Sequence, residues 1–99
     1  MVFKKWTFNR AAVEHAPDNR GILILWDAEE MIYVGRATGG ETIKTVLLRH
    51  LDGHCGECTK RATHYSWEIT IWAAARETEL LNAFAKKHQR DPRCQQTVA

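Results

Sequence analysis

Glu77 is the residue whose type and setting most demand an explanation. In the run Ala73-Ala74-Ala75-Arg76-Glu77-Thr78-Glu79-Leu80-Leu81 it stands three or four places from Ala73, Ala74, Leu80 and Leu81. At helical spacing it therefore projects from the apolar stripe, whereas Glu79 points elsewhere. A carboxylate there must be paired, protonated or bound to a metal, because removing its water is costly. A salt bridge to a nearby arginine, or a place on the stripe's margin that reaches water, meets that demand as well as a metal does. Tyr33 lies in a β-rich run just before Gly35. Its phenol is either a half-buried core aromatic or a group that orients or accepts a proton. His50 falls late in a helical segment, as a surface residue, a cap or a proton carrier. Tyr33, His50 and Glu77 together form a candidate acid–base and metal constellation.

The segment His54-Cys55-Gly56-Glu57-Cys58, with His64 six residues on, offers a rival chemistry, because it holds four ligands of the zinc type. A second close pair of ligands is missing and the spacing is irregular, which speaks against zinc. A buried thiol or two under a loop is the default reading. Gly35, Gly39 and Gly40 fit neither the phosphate-loop nor the dinucleotide-binding pattern. Basic residues gather in two places: Lys44, Arg49, Lys60 and Arg61 in mid-chain, and Lys86, Lys87, Arg90 and Arg93 near the end. Such groups can neutralise phosphates or simply form a solvated face.

The elements that must position these residues follow from periodicity and punctuation. Residues 1–20 form a lead-in packed on the domain, with an extended piece around Trp6 and Phe8 and a helical turn capped by Asn9. Pro17-Asp18-Asn19-Arg20-Gly21 is a turn. The apolar run 22–26 and the run 31–35, joined by a short polar loop, predict an antiparallel hairpin. The glycines from Gly35 onward break that pattern. Residues 41–52 carry Ile43, Val46, Leu47, Leu48 and Leu51 at helical spacing, with Gly53 as a stop. Residues 53–63 read as irregular, 64–72 as a third strand, and 73–88 as the strongest helix, with Lys86, Lys87 and His88 at the negative end of its dipole. The expected fold is α/β (α+β): a small three-stranded antiparallel sheet flanked by helices.

Ninety-nine residues make one domain with one real core. The 44% hydrophobic share is ordinary for a globular chain, and the longest apolar run is far too short to cross a bilayer. The opening residues lack a signal peptide's apolar core and cleavage site. Three cysteines cannot all pair within the chain, so no disulfide scaffold is expected. These features predict a soluble cytoplasmic protein with Cys55 and Cys58 reduced. A net charge of +2 does not by itself establish a nucleic-acid partner.

Taken in order, several short motifs resemble those of the GIY-YIG endonucleases. Gly21-Ile22-Leu23 followed by Ile32-Tyr33-Val34-Gly35 is similar to the paired motif that names the family. Residues 42–53 resemble the helix that follows it, Ala75 to Leu81 the helix bearing the acidic metal ligand, and Arg90 to Gln95 the terminal segment. The match spans about residues 21–95, the expected domain. The resemblance implies hydrolysis of nucleic-acid phosphodiesters, DNA in the first instance, with one Mg²⁺ or Mn²⁺ site. It places Tyr33 on the second motif tyrosine, Arg36 just after it, His50 on the helical His/Tyr position and Glu77 on the metal-binding acid. Arg36 and Arg49 would hold the phosphate, and Lys86, Lys87, Arg90 and Arg93 would add nucleic-acid contacts.

Three positions depart from the family pattern. The first motif tyrosine is Leu23, the helical arginine is Val46, and the terminal asparagine is Gln95. Arg49 is placed to reach the space that Val46 leaves. Because valine cannot replace an arginine on a transition-state phosphate, the alternative is a catalytically weakened module that binds nucleic acid or protein on the same fold.

Overall fold

The computed structural model describes residues 3–95, so the first two residues of the 1–20 lead-in lie outside it. In chain order the elements are β1 (Trp6–Thr7), α1 (Arg10–Val13), β2 (Gly21–Asp27), β3 (Glu30–Ala37), α2 (Ile43–Leu51), α3 (Glu57–Lys60), β4 (His64–Ile69) and α4 (Ala73–His88). The strands form one antiparallel sheet in the order β1-β4-β2-β3. The sheet thus has four strands rather than three. β1 pairs only Trp6 with Tyr65 and Thr7 with His64, and two residues are too few to show a periodicity in the sequence.

Alternation along the central strand β2 sorts the core into two layers. Leu23 and Leu25 point to the face covered by α1 and α2, with Ile43, Leu47, Phe8, Val13 and Tyr65. Ile22 and Ile24 point to the other face, where α4 lays Ala73 and Leu80 against them and Val34. This double burial explains why β2 is apolar throughout. Gly21 begins β2 against β4: a Cβ there would meet the Glu68 carbonyl oxygen at 2.1 Å. Trp6 stacks on Trp67 with ring centroids 5.4 Å apart, tying the lead-in to the sheet.

Helix α2 starts at Thr42, which forms a reciprocal capping box with Thr45. The first-turn N–H groups of Ile43 and Lys44 donate to the Asn19 and Pro17 carbonyls in the turn before β2. The strand expected over 64–72 ends at Ile69. Beyond it the chain leaves the sheet, and Ile71 and Trp72 are 79% and 72% exposed. No helix among the described residues is long and apolar enough to cross a membrane.

Candidate functional site

Strand β3 carries the candidate site and continues through Gly35 to Ala37, rather than breaking at the glycine. A Cβ at Gly35 would lie 2.7 Å from the Tyr33 ring and 3.1 Å from its hydroxyl. The ring therefore lies along the strand across Gly35, two residues away on the same face. The glycine is where the phenol packs.

On the α2 face, Tyr33 meets His50, their ring centroids 4.9 Å apart. His50 is buried, with 1% of its surface exposed, and its Nδ1 shares a 2.9 Å hydrogen bond with Thr59 Oγ1 from α3. Ile43, Val46, Leu47 and His50 are the buried residues of α2, and their helical spacing is the signal that puts His50 with the core instead of at the surface. Burial pushes the imidazole down to about 4, helped by the neighbouring Arg49 charge. Burial also pushes the Tyr33 phenol up to about 12, and the negative charge of Glu77 adds to this. A tyrosine that takes a proton from water needs the opposite shift, from about 10 downward. The protein environment therefore keeps Tyr33 as a neutral hydroxyl.

On the α4 face, Arg36 and Glu77 face each other, with Nη1 3.8 Å from Oε1. The Glu77 side chain is 20% exposed, so it lies on the margin of the apolar stripe. Burial raises its carboxyl above the ordinary value and Arg36 offsets part of the rise. The preceding residue, Arg76, turns to β4 and bonds Glu68 at 2.9 Å. Tyr33 and Arg36 thus occupy opposite faces of one strand, yet Glu77 is close enough for its charge to act on the phenol. Arg49 also acts on Tyr33, lowering it, and is itself salt-bridged to Glu41.

The remaining basic residues are placed elsewhere. Arg93 bonds Asp27 at 2.8 Å, and both Arg90 and Arg93 pair with Glu30 at the start of β3. Six strand residues, roughly 20 Å, separate Glu30 from Arg36. Lys86 and Lys87 are exposed in the last turn of α4. Lys87 borders a cleft of about 610 Å³ floored by Trp26, Met31, Leu80 and Phe84. The sequence-derived basic set is thus divided between two ends of β3.

Leu23, Val46 and Gln95 also have defined places. Leu23 and Val46 are buried core residues and add no polar group. Gln95 has a distinct role: its Oε1 accepts from the Val34 N–H at 2.9 Å and its Nε2 donates to the Val34 carbonyl at 2.7 Å. Together with the Cys94 N–H on the Ile32 carbonyl (2.8 Å), it satisfies the outer edge of β3 at Ile32 and Val34.

The expectation that Cys58 is reduced is corrected, because Cys58 and Cys94 form a disulfide with Cα atoms 5.6 Å apart. They lie 36 residues apart in sequence, and no spacing rule reveals such a partner. Cys55 is a free thiol, raised by burial. With Cys58 in the disulfide, the set His54, Cys55, Cys58 and His64 lacks one of its thiolates. Among the described residues no group of three or more His, Cys, Asp or Glu side chains is clustered for a metal. A single carboxylate such as that of Glu77 would suit a hard cation that keeps most of its waters, the usual habit of Mg²⁺, and here it is paired with Arg36.

Fold and site together define a small α+β domain with a tyrosine–histidine pair on one face of an edge strand and an arginine–glutamate pair on the other. No family model and no curated protein matches this chain.

Proposed function

We propose that this domain is a GIY-YIG-type, divalent-metal-dependent phosphodiesterase acting on nucleic acid, DNA in the first instance. The observation that carries the reading is that the Tyr33–His50 ring pair and the Arg36–Glu77 ion pair lie on the two faces of one strand, with the Glu77 and Arg49 charges acting on the Tyr33 phenol. The order of the sequence motifs supports it. In this reading Glu77 holds one Mg²⁺ or Mn²⁺, whose charge would stabilise the phosphate and the leaving oxygen. Arg36 and Arg49 release their carboxylate partners and hold the phosphate. Tyr33 orients the attacking water through its neutral hydroxyl, and His50 fixes the ring from behind. Lys86 and Lys87, with Arg90 and Arg93, hold a more distant part of the strand. A cytoplasmic setting belongs to the same proposal, with the Cys58–Cys94 bond then regulated rather than permanent.

Cleavage of labelled duplex and branched DNA with Mg²⁺ or Mn²⁺ tests the reading. Glu77→Gln keeps the shape and should lower the rate at least about 100-fold, in line with losing a principal electrostatic contribution. Full cleavage by that variant, or by the unaltered protein in excess EDTA, rejects the role given to Glu77.

The second reading is a binding module in which catalysis has faded. It is favoured by the buried Leu23 and Val46, which supply no polar group, and by the upward shift of Tyr33. DNA affinity that falls steeply with salt, without cleavage, supports this reading. No binding of DNA or RNA at low salt excludes the nucleic-acid role in both readings and leaves protein binding by the same module.

A further inference from the structure

One side chain outside the Tyr33, His50, Arg36 and Glu77 set bonds a member of it, another bonds the backbone next to a second member, and a covalent bond joins the residues that precede them. Thr59 holds His50 through the hydrogen bond to Nδ1. Gln95 holds both backbone groups of Val34, the residue that follows Tyr33. Thr59 directly follows Cys58, and Gln95 directly follows Cys94, the two ends of the disulfide. We propose that Thr59 and Gln95 are positioning residues for the Tyr33–His50 pair, coupled through the Cys58–Cys94 disulfide, so that reducing one bond loosens both supports.

Both segments also reach the core, through Thr59 and Ala62 on one side and Cys94 on the other, but their local restraints are short-range. Helix α3 is four residues long, well below the length at which a helix holds itself together. Its Arg61–Glu57 pair is exposed and contributes little. The segment after α4 is tied by the half-exposed ion pairs of Arg90 and Arg93, by Cys94 N–H on Ile32, and by Gln95 itself. Among the described residues the disulfide is the covalent link between the two segments, and unlike a hydrogen bond or ion pair it does not dissociate and re-form in water. Its opening needs a dithiol reductant. The S–S bond takes up two electrons and two protons, Cys58 and Cys94 become thiols, and the reductant closes into its own disulfide. Cys55, three residues before Cys58 and free, offers an exchange partner, so the test is run in a Cys55→Ser background.

The inference takes Tyr33 and His50 as the site proposed above. Its test reads the backbone and the imidazole rather than cleavage, so either proposal can fail alone. Amide hydrogen exchange is followed by NMR on the full chain at pH 7, with and without dithiothreitol. Reduction should speed exchange of the Val34 and Cys94 amides at least tenfold and move the His50 ring-proton resonances, while the amides shared by β2 and β4 stay protected. In the oxidised protein, Thr59→Val should move the same His50 resonances without changing Val34 exchange, and Thr59→Ser should restore them. Unchanged Val34 exchange on reduction overturns the coupling. Uniform loss of protection across the sheet overturns it as well, because the bond would then support only global stability. His50 resonances indifferent to Thr59→Val remove the positioning role of Thr59.

Discussion

The two faces of β3 hold the two halves of the candidate site under opposite electrostatic regimes. On the α2 face, Tyr33, His50 and Thr59 are hydrogen-bonded or ring-packed, and burial pushes the phenol up to about 12 and the imidazole down to about 4. That pair is neutral over the whole range between. On the α4 face, Arg36 and Glu77 remain an ion pair because the arginine is half-exposed. One strand supplies both settings merely by alternating its side chains. The difference shows that neutrality in this domain is imposed by burial, while charge persists only where water reaches. Substitutions on the two faces should therefore differ in what they cost.

The largest effect belongs to the buried half. His50→Ala removes a fully packed ring and leaves the buried Thr59 hydroxyl without its partner, so a loss of about 3–4 kcal/mol is expected. Urea unfolding measures it, and a loss below 1 kcal/mol would mean that the imidazole is not part of the core. Acid should act next most strongly. The folded imidazole titrates at about 4 against 6.5 for an ordinary histidine, so between these values the unfolded chain binds more protons. Stability contributed by the neutral ring is present above about pH 6.5, falls as pH drops, and is fully lost below about pH 4, a span of about 3 kcal/mol. Comparing unfolding at pH 7 and pH 5 in the parent and in His50→Gln isolates this contribution, because the variant should lack it. The smallest effect lies on the charged face. Arg36→Met should change stability by less than about 1 kcal/mol, while raising the Glu77 carboxyl further, because Arg36 now lowers it. Carboxyl NMR titration would detect that rise. A stability loss comparable to that of His50→Ala would abolish the contrast between the faces.

Much of the fold was legible because it rests on periodicity. The stripe from Ala73 to Phe84 marked α4, and the runs around Ile24 and Val34 marked the hairpin. What was not legible came from contacts between distant segments. β1 exists because Trp6 stacks on Trp67 and pairs with Tyr65, neither of which is written locally. Gly35 looked like a strand breaker because a sequence does not show a tyrosine ring lying across its backbone. Glu77 was readable as a carboxylate needing a partner, and both ordinary outcomes, an arginine partner and a margin position, are realised together. His50 could have been placed in the core from its spacing to Ile43, Val46 and Leu47. Thr59, Gln95 and the Cys58–Cys94 link had no local signal, since their partners are 9, 61 and 36 residues away.

The ring of Tyr33 over Gly35 has a consequence for how this stretch tolerates change. Gly35 and Gly40 are the same residue type five positions apart, yet a Cβ at Gly35 strikes an aromatic ring at 2.7 Å, whereas one at Gly40 meets nothing within 4 Å. In a deep mutational scan, position 40 should accept most substitutions and position 35 almost none. Shrinking residue 33 should reopen position 35 to alanine. Tyrosine and glycine would then behave as one heritable unit, each limiting what the other can become.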